Sequence, residues 1–207
     1  MKQHLNQFLK LKKLIEKTPD KRLAAEGWKK EWKILIATIL SAQNRDDRTI
    51  PVAEKLFKKY STPKKLGSAS LKNIEKEIKS MNYYKTKARN IKKTSGMIAK
   101  KGIPETVEEL VGFPGVGRKT ANVFLAEARG GAAIGVDTHV ARLSRKFGWT
   151  KNLTPEKIEK DLEKLFPKKY WNSINYVLVK FGRTFGRSRK NEDNLIKEIK
   201  VATEKHL

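Results

Sequence analysis

Two residues whose chemistry is worth asking about stand in distinctive settings. Lys119 closes the run Gly112-Phe113-Pro114-Gly115-Val116-Gly117-Arg118-Lys119, and Asp137 lies in Val136-Asp137-Thr138-His139. A lysine amine that sheds its proton is a nucleophile able to form a Schiff base, and an oriented carboxylate stabilises positive charge developing nearby. An ordinary lysine titrates near about 10.4, so attack requires a site that disfavours the ammonium form. Lys119 falls in the first turns of the helix that follows Gly117, beside Arg118, and both the positive helix end and the neighbouring cation act in that direction. Taken alone, Lys119 still reads first as one more solvated lysine. Asp137 precedes Val140, Leu143 and Phe147, which share a helical face, so it also reads as a helix N-cap.

The run before Lys119 carries its own signal. Gly115 and Gly117, between helical segments, permit a turn so tight that the N–H groups at the next helix's start point outward together, forming an anion site. Such a hairpin can hold a DNA phosphate without reading a base. A packing corner that needs glycine is the plainer alternative, and composition decides between them. The chain has 207 residues, with 47 Lys and Arg against 22 Asp and Glu, a net charge of +25 spread along its length. That balance points to a polyanion, nucleic acid ahead of an anionic membrane surface, because neutralising phosphates releases condensed counterions.

Other classes fall away on composition. Cysteine is absent, which removes disulfides, thiol catalysis, cysteine–zinc sites and a cysteine-ligated iron–sulfur cluster. The histidines, His4, His139 and His206, are too scattered for a metal site, so neither metal nor cofactor is expected. No apolar run approaches the roughly 18 residues of a membrane span, and residues 1–4 lack a signal peptide's apolar stretch. The expectation is a soluble cytoplasmic, nucleoid-associated protein.

The elements that must position these residues are helices throughout, since apolar residues recur at helical spacing and no alternating strand stands out. Helices are expected over 4–17 (with Leu5, Phe8, Leu9 and Ile15 on one face), 31–42, 47–60, 70–79 and 85–101. The second is apolar nearly all round and should be buried and central. Thr18 and Pro19 end the first helix, and Pro63 after Thr62 opens a short turn. Thr106 starts a short helix to Val111, and the helix after Gly117 ends near Gly130. Thr154 and Pro155 begin another, and a final helix spans about 191–205, capped by Asn191 with Glu192 and Asp193 in its first turn.

With these motifs in hand, the sequence resembles the helix-hairpin-helix (HhH-GPD) DNA glycosylases, and within them the endonuclease III branch. Ile39-Leu40-Ser41-Ala42-Gln43 resembles that branch's LLSAQ, the hairpin its glycine turn, Val136-Asp137-Thr138-His139 its VDTH, and Phe181-Gly182-Arg183 its HGR. Four motifs in order cover most of the chain. The resemblance implies an all-α, two-lobed fold: a helical-barrel lobe over 22–132, with the hairpin at about 106–129, and a second lobe from 1–21 with 133–207, DNA lying between them.

The resemblance also assigns roles. It implies that Lys119 attacks C1′ of a flipped nucleotide and that Asp137 is the essential carboxylate. It makes Gln43 a residue that enters the duplex, and places Gly115, Val116, Gly117, Arg118, His139, Arg183 and Lys190 against DNA. Tyr83 stands where the family has a leucine wedge; an ordinary core aromatic is the competing reading. Asp46 matches an acidic residue near the pocket. Gly186 and Asp193 occupy the positions of the first two cluster cysteines, so packing of the last helix is expected to replace metal ligation, while a basic loop of Arg183, Arg187, Arg189 and Lys190 still grips phosphate.

The function expected is excision of damaged pyrimidines from duplex DNA and β-elimination at the resulting abasic site, by a monomer. A mismatched thymine or uracil, or an oxidised purine, is the rival substrate. A non-catalytic hairpin module that only binds DNA is the rival of another class.

Overall fold

A computed structural model of the chain describes residues 2–18, 22–131, 133–186 and 188–204. Among these residues the regular elements are helices, and no strand occurs. They form two compact units, Arg22–Gly130 and a second made from Met1–Lys21 with Gly131–Leu207. Pro19, Arg187 and His206 lie outside the described residues.

In the unit Arg22–Gly130, helix α2 (Glu31–Ser41) is central, and every side chain from Ile34 to Leu40 is buried. Each such large apolar side chain contributes about 1.5–3 kcal/mol when removed from water. Around α2 pack α3 (Asp46–Lys59), α6 (Tyr84–Lys101) and α8 (Arg118–Arg129). Arg129 clamps this group: its guanidinium pairs with Glu31 at 3.1 Å and donates to the carbonyls of Pro104 and Ile103. Pro63 does more than open a turn. It is the first residue of α4 (Pro63–Ser68), whose cap, Thr62, accepts from Lys65 N at 3.2 Å. α4 meets α6 at Gly67, where a Cβ would come within 2.7 Å of Gly96 N, so only glycine allows the approach. The shorter α5 (Leu71–Glu77), capped by Ser70, also rests on α6.

In the other unit, α1 (Lys2–Glu16) packs on α11 (Trp171–Phe185) and α12 (Arg189–Glu204). Its inward face is Phe8, Leu11 and Ile15. Leu9, expected inside, is 38% exposed because the helical period turns it outward. Trp149 follows α9 (Thr138–Phe147) and stacks on Phe147; its Nε1 donates to the buried Gln7 Oε1 at 2.8 Å. Thr154 precedes α10 (Pro155–Leu165) without a side-chain capping bond, so the proline alone sets that start.

The last helix departs from expectation at its beginning. It starts at Arg189, and Ser188 Oγ accepts from Asn191 N at 3.4 Å, so Ser188 caps it and Asn191 lies inside the helix. Glu192 is 1% exposed, held by Arg142 and by Lys146, the latter at 2.8 Å, and Lys146 also reaches Asp193 at 2.5 Å. Burial pushes the Glu192 carboxyl up, but hydrogen bonds from Arg142 and Lys146 outweigh it and leave the group below its ordinary value. The residues in this region do not fit a cysteine-ligated cluster. Gly186 has no ligand atom, and a Cβ there would meet Gly182 O at 2.3 Å and Glu192 Oε2 at 2.8 Å.

Candidate active site and nucleic-acid interface

The hairpin is built from both ends inward. Thr106 caps α7 (Val107–Leu110) by accepting from Glu109 N at 3.3 Å and donating to Glu109 Oε2 at 2.9 Å. Three buried side chains, Leu110, Phe113 and Val116, nail the turn to the core, and Thr94 Oγ1 donates to Pro114 O at 2.9 Å. Gly115 has φ 83°, and a Cβ there would come within 2.9 Å of Asn90 Nδ2 and 3.1 Å of Ile39 Cγ2. Both the backbone and the neighbours therefore require glycine at 115.

Gly117 differs from its partner. Its φ of −91° and ψ of 173° are open to any residue, and nothing stands within 4 Å of a Cβ built there. It caps α8 without a side chain, which leaves the approach to the helix's first turn clear. Val116 corrects an expectation: its side chain is 5% exposed and belongs to the core, so only its backbone is available to a ligand. Arg118 is exposed, with its guanidinium 3.9 Å from Glu108 Oε1. Lys119, the second residue of α8, is partly buried.

Asp137 is the N-cap of α9, its Oδ1 accepting from Val140 N at 2.9 Å. The strand of chain leading to it is fixed by the buried Ile134 and Val136 and by Asn175 Nδ2, which donates to Gly135 O at 2.6 Å. A carboxylate tethered in this way keeps one oxygen in a set direction. His139, in the first turn of α9, packs on Gly182 of α11, and its Nδ1 is buried without a hydrogen-bond partner among the described residues. A Cβ at 182 would lie 2.3 Å from that nitrogen. Gly182→Ala should therefore cost about 1–3 kcal/mol in denaturant unfolding and weaken duplex binding, because the imidazole is forced off its seat. Unchanged stability would contradict this packing.

Gln43 and Tyr83 share an unusual backbone. They are the only non-glycine residues with positive φ among the described residues, at 56° and 57°. Gln43 is exposed just beyond the end of α2, and Tyr83 is 67% exposed at the N-terminus of α6, which removes the core-aromatic reading. Asp46 opens α3 and accepts from Ala24 N at 3.2 Å through Oδ1, a structural bond that sequence reasoning did not foresee. Arg183 lies on α11, and Arg189 and Lys190 on α12; all three are exposed, but on helices instead of the expected loop.

Lys87 was missed in the sequence, where it is one of many lysines in a basic helix. Its side chain is buried, with Nζ donating to Leu40 O at 2.6 Å and Ala42 O at 2.5 Å. Burial pushes its ammonium down to about 8. An unfolded chain holds this proton up to the ordinary value of 10.5, so between the two values folding releases a proton and stability rises with pH. Parallel thermal melts should show the wild type gaining on Lys87→Met as pH goes from about 7.5 to about 10, and an opposite slope would contradict a buried amine.

The family described as HhH-GPD superfamily base excision DNA repair protein matches residues 36–168. This chain belongs to that family. Within it, the HhH-GPD chain is 41% identical over 155 residues to endonuclease III of Thermotoga maritima, covering 73% of each. It is 39% identical over 158 residues to endonuclease III of Bacillus subtilis, covering 73% of this chain and 71% of the other. A solved structure of a trapped endonuclease III–DNA covalent intermediate superposes with a TM-score of 0.82 at 34% identity, over 91% of this chain and 89% of that one. A thermostable thymine-DNA glycosylase, 19% identical with a TM-score of 0.78, shares the fold.

Proposed function

We propose that this HhH-GPD protein is a DNA glycosylase and abasic-site lyase of base excision repair, acting on double-stranded DNA with Lys119 as nucleophile and Asp137 as the stabilising carboxylate. The observation that carries the reading is the placement of Lys119 one residue inside the helix that the glycine hairpin opens. That helix start suits a backbone phosphate, and Lys119 is the second residue of the same helix. The relative captured as a covalent DNA intermediate supports the same chemistry.

The steps follow from residue identity. The neutral Nζ of Lys119 attacks C1′ of an extruded nucleotide, the bond from C1′ to the base breaks, and the base departs with the electron pair and takes up a proton. Asp137 stabilises the positive charge that grows on the sugar as this happens. The ring opens to a protonated imine, which acidifies the hydrogen on C2′. Loss of that proton expels the 3′-phosphate oxygen by β-elimination, and water then releases the amine. Gln43 and Tyr83 fill the space left by the extruded nucleotide, the amide facing the orphaned base and the ring stacking on its neighbours.

Damaged or oxidised pyrimidines are the substrates we assign, and the protein acts as a monomer. The test is borohydride reduction during turnover of duplexes carrying 5,6-dihydrothymine, 8-oxoguanine, a G·T mismatch or an abasic site. A trapped adduct is expected with the abasic and dihydrothymine duplexes. Tight binding with no adduct on any duplex would replace the enzyme by a binding module.

A further inference from the structure

Residues at positive φ without the freedom of glycine persist only where their surroundings over-determine them. Here two such residues, Gln43 and Tyr83, sit on different loops, and the same three residues, Lys87, Asn82 and Asn44, link those loops through side-chain and backbone bonds. Lys87 Nζ donates to the carbonyls of Leu40 and Ala42, which precede Gln43, while its backbone N–H donates to Tyr83 O at 3.0 Å. Asn82 Nδ2 donates to Gln43 O at 2.7 Å, and Asn82 N donates to Asn44 Oδ1 at 2.9 Å. Asn44 Nδ2 in turn donates to Ala42 O at 2.9 Å.

We propose that Lys87, with Asn82 and Asn44, is a positioning device that joins Gln43 and Tyr83 into one pre-set element, so that the two enter the duplex together instead of independently. The proposal rests on the assignment of these two residues to the extrusion step. Its physical ground is that the chain leaving α2 presents carbonyls needing donors, and donors come from Lys87 in the first turn of α6 and from Asn82, which precedes Tyr83. An exposed loop could have left those carbonyls to water. A buried ammonium is an unfavourable way to satisfy them, since desolvation acts against its charge. The arrangement makes sense where fixed geometry matters more than stability, and a lysine has the donors to reach two carbonyls at once.

Because the device serves extrusion, its loss should appear only where a nucleotide must leave a paired stack. Lys87→Met is expected to slow single-turnover base excision from a dihydrothymine duplex about tenfold, while cleavage of a single-stranded abasic oligonucleotide changes less than about twofold. Asn82→Ala, which keeps the lysine, should show the same split and carries the test if the methionine variant fails to fold. In a Tyr83→Ala and Gln43→Ala background, Lys87→Met should have no further effect on duplex excision, because the groups it positions are gone. Equal losses on the duplex and the single strand, or full additivity in that background, would overturn the proposal. A wild type that neither excises nor cleaves would instead sink the enzymatic reading; an active wild type with unaffected variants would sink only this one.

Discussion

Lys119→Gln is expected to give no covalent adduct with an abasic duplex on borohydride reduction, and to lose base excision and strand cleavage by on the order of 10³-fold or more. The glutamine amide keeps most of the length and polarity of the side chain, but its nitrogen lone pair is delocalised and cannot attack C1′. Helix α8 should survive, since glutamine is a good helix former and the inward face of Thr120, Ala121 and Phe124 is untouched. Duplex affinity should change little, for one cation among 47 basic side chains is lost. Melting temperature and a binding isotherm on the same preparation separate chemistry from folding. An adduct from this variant would move the nucleophile elsewhere.

Asp137→Asn is the second large effect, and here the structure supplies an unusually clean substitution. Asparagine caps helices about as well as aspartate, so the bond from Val140 N to Oδ1 has a replacement and α9 keeps its start. What disappears is the charge. Base excision should fall by about 10²–10³-fold, the range found when a preorganised electrostatic partner is removed. Cleavage at a pre-formed abasic site should suffer less, because no base departs and no comparable positive charge develops at C1′. Similar losses in both steps, with Tm unchanged, would mean that Asp137 does not act on the departing base.

How much of this was legible in the sequence depends on whether a residue's role is local. The Asp137 cap, the Thr106 cap and the turn at Gly115 rest on a few adjacent residues, and their patterns survive without knowledge of the rest. The start of α12 was misplaced because Ser188 and Asn191 are both good caps, and the Glu192 ion pairs with α9, long-range contacts that sequence does not display, accompany the earlier start. Val116 looked available for DNA because the turn as a whole is exposed, whereas the side chain fills the core beneath it. Lys87 was invisible for the same reason: nothing in a lysine-rich helix marks which ammonium is turned inward toward carbonyls 45 and 47 residues away in the chain. Tyr83 became interpretable only once its backbone and exposure were known.

Helix α12 is fastened to α9 through Glu192 by Arg142 and Lys146, side chains synthesised with the polypeptide, so this attachment forms as the chain itself folds. The sequence holds no cysteine, so peroxide finds no thiolate there to attack.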